Sequence, residues 1–197
     1  MKRVGVGREM FFGAIGALLG LMAPVPAVAD RIRSYGVAVG GGASERIEAV
    51  VAPVQVELGL RLPQLVDKPL SDASIRVEWT FKLWASAIVG QENTAEGGLN
   101  PIGLRVAFDR GQRWVPFAEV GLGVMGTGLR EAKTGGPFQF DQTAGGGVQW
   151  FLDPRTAISL SYQYRHMSNS RIYDQNSGLD THFALLGLHW FPQRFAK

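Results

Sequence analysis

Between Ile75 and Leu83 the side chains alternate without a break: Ile75, Val77, Trp79, Phe81 and Leu83 are apolar, while Arg76, Glu78, Thr80 and Lys82 are polar or charged. A period of two is that of a β-strand, whose successive side chains point to opposite faces of its sheet. In a soluble sandwich the charged face of such a strand looks at bulk water. In a small membrane barrel it fills a polar interior, and the apolar, aromatic-rich face meets lipid. Hydrophobic residues make up 46% of the chain and Gly contributes 26 residues, yet no segment beyond the N-terminal one is an apolar run long enough to span a bilayer as a helix. Amphipathic strands fit that combination.

Eight such segments can be read, roughly at 35–41, 47–61, 73–88, 101–109, 114–128, 138–151, 155–168 and 180–191. Outward rows are visible in several: Val54, Val56, Leu58 and Leu60; Leu104, Val106 and Phe108; Val120, Leu122 and Val124. An even number of strands closes an antiparallel sheet, so the expected fold is all-β, an eight-stranded antiparallel transmembrane β-barrel of the bacterial outer membrane. Trp84, Phe108, Trp114, Phe138, Trp150, Phe151, Trp190 and Phe191 gather near strand ends and are expected to form interfacial girdles. With both termini in the periplasm, the short connections at 109–113 and 152–155 fall on the periplasmic side, and the longer ones near 90–99, 129–137 and 169–179 fall outside. Two connections fit less well: 41–46 is short for an outer loop, and 62–72, with two prolines, is long for a periplasmic turn.

The N-terminus sets the compartment. Lys2, Arg3 and Arg8 precede an apolar run from Phe11 to Ala23, which is followed by Pro24, Pro26 and the triplet Ala27-Val28-Ala29. The run is well short of the roughly 20 residues of a spanning helix, and the charged start, apolar middle and small-residue end are those of a cleaved signal peptide over 1–29. The expected barrel domain is 30–197. Lys2, Arg3, Arg8 and Glu9 carry +2 of the formal +3, so the mature chain has no basic excess that would suggest a nucleic-acid partner. Cysteine is absent, and disulfides cannot stabilise the exported chain.

The seventh segment carries the chemistry. Ile158, Leu160, Tyr162, Tyr164, His166 and Ser168 form one row, and Ser159, Ser161, Gln163 and Arg165 form the other. A base and a hydroxyl thus continue the lipid-facing row at the outward end of a strand. A serine hydroxyl is a poor nucleophile until a neighbouring base takes its proton, which an imidazole two residues away on the same face can do.

His166-Met167-Ser168-Asn169, followed by Asn176-Ser177-Gly178-Leu179-Asp180 and a final aromatic-rich strand, resembles the PagL-type lipid A 3-O-deacylases, whose signature has a His-x-Ser-Asn core and an acidic residue just before the last strand. The motif covers the C-terminal quarter; elsewhere the resemblance is that of a signal peptide and an eight-stranded pattern. It implies an outer-membrane serine esterase, with catalytic residues on the barrel's outer surface at its extracellular end, that removes the ester-linked acyl chain at the 3-position of lipid A and releases a 3-hydroxy fatty acid. It further implies Ser168 as nucleophile, His166 as base, Asp180 as acid and Asn169 as part of the oxyanion hole. Two departures stand out: the family has Glu where this chain has Asp180, and Tyr where it has Met167. Asp serves in many triads. Asp174, in the same loop, is a competing acid without the motif match.

The implied substrate is lipid A or lipopolysaccharide in the outer leaflet, met by lateral diffusion in a Gram-negative outer membrane, with no cofactor and no metal; a homodimer is one assembly open to such a barrel. Taken singly, His, Ser, Asn and Asp at a strand end are ordinary interfacial and turn residues, and a non-enzymatic barrel serving structure or adhesion would have the same fold. The discriminating expectation is that His166, Ser168 and an acid come together. Gly121-Leu122-Gly123-Val124-Met125-Gly126 satisfies G-x-G-x-x-G but opens no helix, so it reads as strand glycine, as does Gly145-Gly146-Gly147. His182 and His189 fall on opposite faces of the last strand, which argues against a shared metal.

Overall fold

The structure is a computed structural model that describes residues 30–130 and 134–192. The proposed signal segment 1–29 lies outside the described residues. Within the compact unit Ile32–Lys197 the chain forms β1 (Ile32–Ser44), β2 (Ala49–Arg61), the helix α1 (Gln64–Asp72), β3 (Ile75–Gly90), β4 (Thr94–Phe108), β5 (Trp114–Thr127), β6 (Phe138–Asp153), β7 (Thr156–Ser168) and β8 (Leu179–Trp190). Each strand pairs antiparallel with the next, and β1 pairs with β8, so the sheet closes as an eight-stranded barrel. Closure leaves no edge with unpaired N–H and C=O groups, which is what permits a sheet to cross a bilayer.

The alternation in β3 sorts inside from outside. Arg76, Glu78 and Lys82 are buried at 1, 0 and 7% exposure, whereas Trp79 and Phe81 stand outward at 48 and 39%. Val77 shares the outward row but is itself covered. Most of the inward charges are paired. Arg105 spans Glu57, at 2.5 and 2.6 Å, and Glu119, at 2.6 and 3.1 Å; Lys82 reaches Glu119 at 2.5 Å. Arg76 lies between Glu78 and Asp109, each at 3.5 Å, and Arg165 holds Glu96 at 2.6 Å. The interior is not polar throughout, however. Apolar clusters cap the charged middle at both ends, one including Ile88, Met125, Met167 and Phe183, the other Phe117, Phe151 and Phe191.

Truncating one member of such a buried ion network strands its partners' charges. Arg105→Ala is therefore expected to destabilise the barrel by about 3–5 kcal/mol, read as a lower denaturant midpoint for the protein folded in detergent micelles. Replacing Arg105, Glu57, Glu119 and Lys82 together by apolar residues of matched volume is expected to cost much less, because the whole ion-paired group is then removed.

Several sequence expectations change. β4 begins at Thr94 instead of 101, and the connection before it shrinks to residues 91–93. Pro101 does not end the strand because it sits in a bulge: the register steps from Leu99↔Val124 to Ile102↔Leu122. A bulge spares proline the ladder donor it lacks, and the Trp79 indole N–H donates to the Pro101 carbonyl at 2.9 Å. β1 likewise runs on through Gly40–Gly42 to Ser44. A Cβ at Gly40 would meet the Ala184 carbonyl oxygen at 2.0 Å, so only glycine allows β8 this close.

Loop length is thus no clean guide to orientation. At the end opposite the first residue of β1, here the upper end, the connections 91–93 and 45–48 are short and 128–137 and 169–178 are long; at the lower end the stretch 62–74 is the longest. It folds as α1, which Arg33 ties to the barrel through Asp67 at 2.5 Å. The girdle expectation also needs revision, since Trp84, Phe151 and Phe191 turn inward at 7, 2 and 1% exposure. Position near a strand end does not choose a face; residue parity does, and Phe151 follows the outward Trp150. Phe108, Trp114, Phe138 and Trp150 do stand outside, with Trp114 and Trp150 stacked at 4.8 Å and Trp190 stacked on Tyr35 at 5.6 Å.

Candidate active site

β7 ends at the upper rim, and its outward row finishes Tyr164, His166, Ser168, while Met167 between them is fully buried inside. In the β7–β8 ladder His166 lies directly opposite Asp180. Their side chains meet on the outer face: His166 Nδ1 is 2.6 Å from Asp180 Oδ1. The Tyr164 hydroxyl donates to the same oxygen at 2.7 Å. Ser168 is the next outward residue on the strand, about 7 Å along it, and stands opposite Phe140 of β6. No hydrogen bond joins Ser168 to His166 among the described residues. A long serine–imidazole distance without substrate is common in sites of this kind.

The backbone around the pair is fastened by the end of β1 and the turn that follows it. Ser44 Oγ donates to the Asp180 carbonyl at 2.9 Å, and the Arg46 guanidinium donates to the carbonyl oxygens of Ser177 and Gly178. Gly178 takes φ of +64°, a left-handed conformation in which glycine is unstrained. A Cβ there would lie 2.9 Å from His166 Cε1, so the glycine also lets the loop pass close over the imidazole. Asp174, the competing acid, is exposed in the loop, and the carboxylate on His166 is that of Asp180.

Asn169 differs from the expectation of an available oxyanion donor. It is fully buried, its side-chain amide donates to the carbonyls of Thr134 at 2.8 Å and Gln175 at 2.5 Å, and its backbone N–H donates to Asn176 Oδ1 at 2.9 Å. All its donors are committed to the loops over the rim. Sequence reading had also overlooked Tyr164 as a polar partner, although its position two residues before His166 placed it in the same row.

A second serine–histidine–carboxylate arrangement lies inside the barrel. Ser159 Oγ is 2.8 Å from His189 Nε2, and His189 Nδ1 is 2.9 Å from Glu57. Its distances resemble those of a triad, but its three members are only 3, 2 and 6% exposed, and Glu57 is also bound by Arg105. Gly36 and Gly187 press on the ring so closely that a Cβ at either would come within 2.7 Å of a ring nitrogen. Without access for a substrate this group is lumen packing. His182 points outward and His189 inward, as parity requires.

Outside, an apolar trough of about 550 Å³ adjoins the imidazole, lined by Trp79, Ile102, Leu104, Val120, Leu122 and Ala144, with Tyr164 and His166 at its β7 end. It follows the ladder row Trp79, Leu104, Val120, Ala144, Tyr164 across five strands. Four inter-strand steps make it about 19 Å long.

A sequence profile described as PagL, Lipid A 3-O-deacylase, matches residues 56–189, which include His166, Ser168, Asn169 and Asp180. The chain belongs to the PagL family. It is therefore a carboxylic ester hydrolase, a lipid A deacylase of the outer membrane, and the non-enzymatic alternative falls. Among solved structures, that of the outer membrane enzyme PagL is similar with a TM-score of 0.61 at 14% identity, covering 77% of this chain and 97% of that one. Neisserial surface protein A is similar with a TM-score of 0.51 at 13% identity, covering 80% and 94%. At these identities the structural likenesses speak for the fold alone. No curated protein sequence matches the chain.

Proposed function

We propose that this PagL-family barrel is a serine esterase that cleaves the acyl ester at the 3-position of lipid A. The observation that carries the reading is the 2.6 Å contact between His166 Nδ1 and Asp180 Oδ1 on the outward face, one residue row below Ser168 and beside an apolar trough. A hydrophilic substrate has no path to such a surface in a bilayer, whereas a lipid ester reaches it by lateral diffusion. The upper rim faces the extracellular side, where the outer-leaflet lipid A lies, and residues 1–29 are the signal peptide that directs export.

In the first half-reaction His166 Nε2 takes the Ser168 proton as Oγ attacks the ester carbonyl, and Asp180 stabilises the imidazolium. The tetrahedral intermediate collapses to an acyl-serine, and the imidazolium gives its proton to the departing 3-oxygen of the sugar. Water then repeats the sequence, its proton passing to His166 and back to Ser168 Oγ as the free 3-hydroxy fatty acid leaves. The trough accommodates the chain of the acyl group being removed. Asn169 contributes to the oxyanion site through its backbone N–H once Asn176 releases it; in the resting arrangement its amide secures the loops.

The test is mass spectrometry of lipid A from cells that express the chain and from cells that do not. Expression should remove the mass of one 3-hydroxyacyl group, with free 3-hydroxy fatty acid appearing in the extract. Unaltered lipid A in cells with folded barrel in the outer membrane would defeat the reading.

A further inference from the structure

Asp180 Oδ1 accepts from two donors at once, the His166 ring nitrogen at 2.6 Å and the Tyr164 hydroxyl at 2.7 Å. Tyr164 is itself held. Its ring packs on His182 at a centroid distance of 5.5 Å, and His182 is anchored through Nδ1 to the Tyr162 hydroxyl at 2.6 Å and through Nε2 to Glu45 at 3.0 Å. The Asp180 carboxylate is about one-third exposed, so water competes for it, and a short side chain at a membrane rim can turn away from the imidazole. A second donor in a fixed position opposes that rotation.

We propose that Tyr164 is a positioning residue for the acid of this site, its hydroxyl fixing the Asp180 carboxylate against His166 and sharing its negative charge. The inference rests on the catalytic reading of Ser168, His166 and Asp180. The charged and titratable groups around the carboxylate are Tyr164, His166 and Tyr162 on β7, His182 on β8, and Glu45 and Arg46 in the β1–β2 turn; the β6 residue opposite His166 is the uncharged Gln142. Tyr164 is the one whose hydroxyl touches Asp180 and whose ring lines the trough. Phe at this position keeps the ring and deletes only the donor.

The test compares the wild-type mature barrel with Tyr164→Phe, Asp180→Asn, the double variant and Ser168→Ala, each checked for heat-modifiable migration and assayed on lipid A in mixed micelles. Tyr164→Phe should lower kcat about tenfold, as loss of a hydrogen bond to a charged group does, and leave KM within about twofold because the trough is intact. In the Asp180→Asn background the same change should do little, since the charged acceptor is gone. A slower Tyr164→Phe with KM raised in step, or with an effect additive with Asp180→Asn, would reduce Tyr164 to packing and overturn the inference. Wild-type behaviour of Tyr164→Phe alongside an inactive Ser168→Ala would overturn it while sparing the catalytic reading. An active Ser168→Ala would remove the reading and the inference together.

Discussion

Ser168→Ala and His166→Ala are each expected to abolish loss of the 3-hydroxyacyl group from lipid A while the protein still folds as a heat-modifiable barrel. Both side chains lie on the outward row of β7, and neither fills the lumen, which Met167 and Arg165 occupy from the same strand. Folding therefore does not depend on them. Nucleophile and base act as a unit, because the hydroxyl attacks only when its proton has somewhere to go, so the double variant should be scarcely slower than either single. Side-by-side mass spectra of lipid A and a gel-shift assay read the two properties separately. Substantial activity in Ser168→Ala would remove the serine mechanism.

Asp180→Asn should preserve the fold and lower turnover by about 10⁴, the loss seen when the triad acid of a serine hydrolase is replaced by its amide. An amide in place of the carboxylate removes the charge that stabilises the imidazolium and presents the wrong hydrogen-bonding pattern to Nδ1. The contact it breaks is the 2.6 Å one between directly opposed residues of β7 and β8. Asp180→Glu keeps the charge and introduces the residue expected of the family, and should retain activity. Steady-state rates on lipid A micelles for the two variants and for Asp174→Asn decide which acid serves. A fully active Asp180→Asn beside an inactive Asp174→Asn would transfer the role to Asp174 and leave His166 and Ser168 as assigned.

The barrel was legible because its information is local. Arg76 to Leu83 declare two faces by strict alternation, and eight segments of that kind define a closed sheet. The errors arose where local marks were ambiguous. Pro101 and the glycines at 97 and 98 look like a loop until the β3 and β5 partners supply a bulge in which proline is tolerated. Trp84, Phe151 and Phe191 sit where a girdle would be, but their parity turns them into the lumen beside charged groups; the Arg76 guanidinium lies 4.5 Å from the Phe191 ring centroid. Composition at a strand end cannot show that, since the face depends on register within the strand.

The sequence by itself determined that the chain is an outer-membrane barrel and that His166 and Ser168 share its outward row, because side-chain alternation is a property of the strand alone. Only the tertiary structure decided which acid meets the imidazole, since pairing His166 with Asp180 requires the β7–β8 register across a ten-residue loop. It also separated two similar constellations: Ser159, His189 and Glu57 have triad-like contacts, but the lumen seals them, while His166, in contact with Asp180, opens onto a trough. Tyr164 gained its partner and Asn169 lost its free donors for the same reason. Contacts between strands and between loops depend on closure of the sheet, and closure is not written in any one segment.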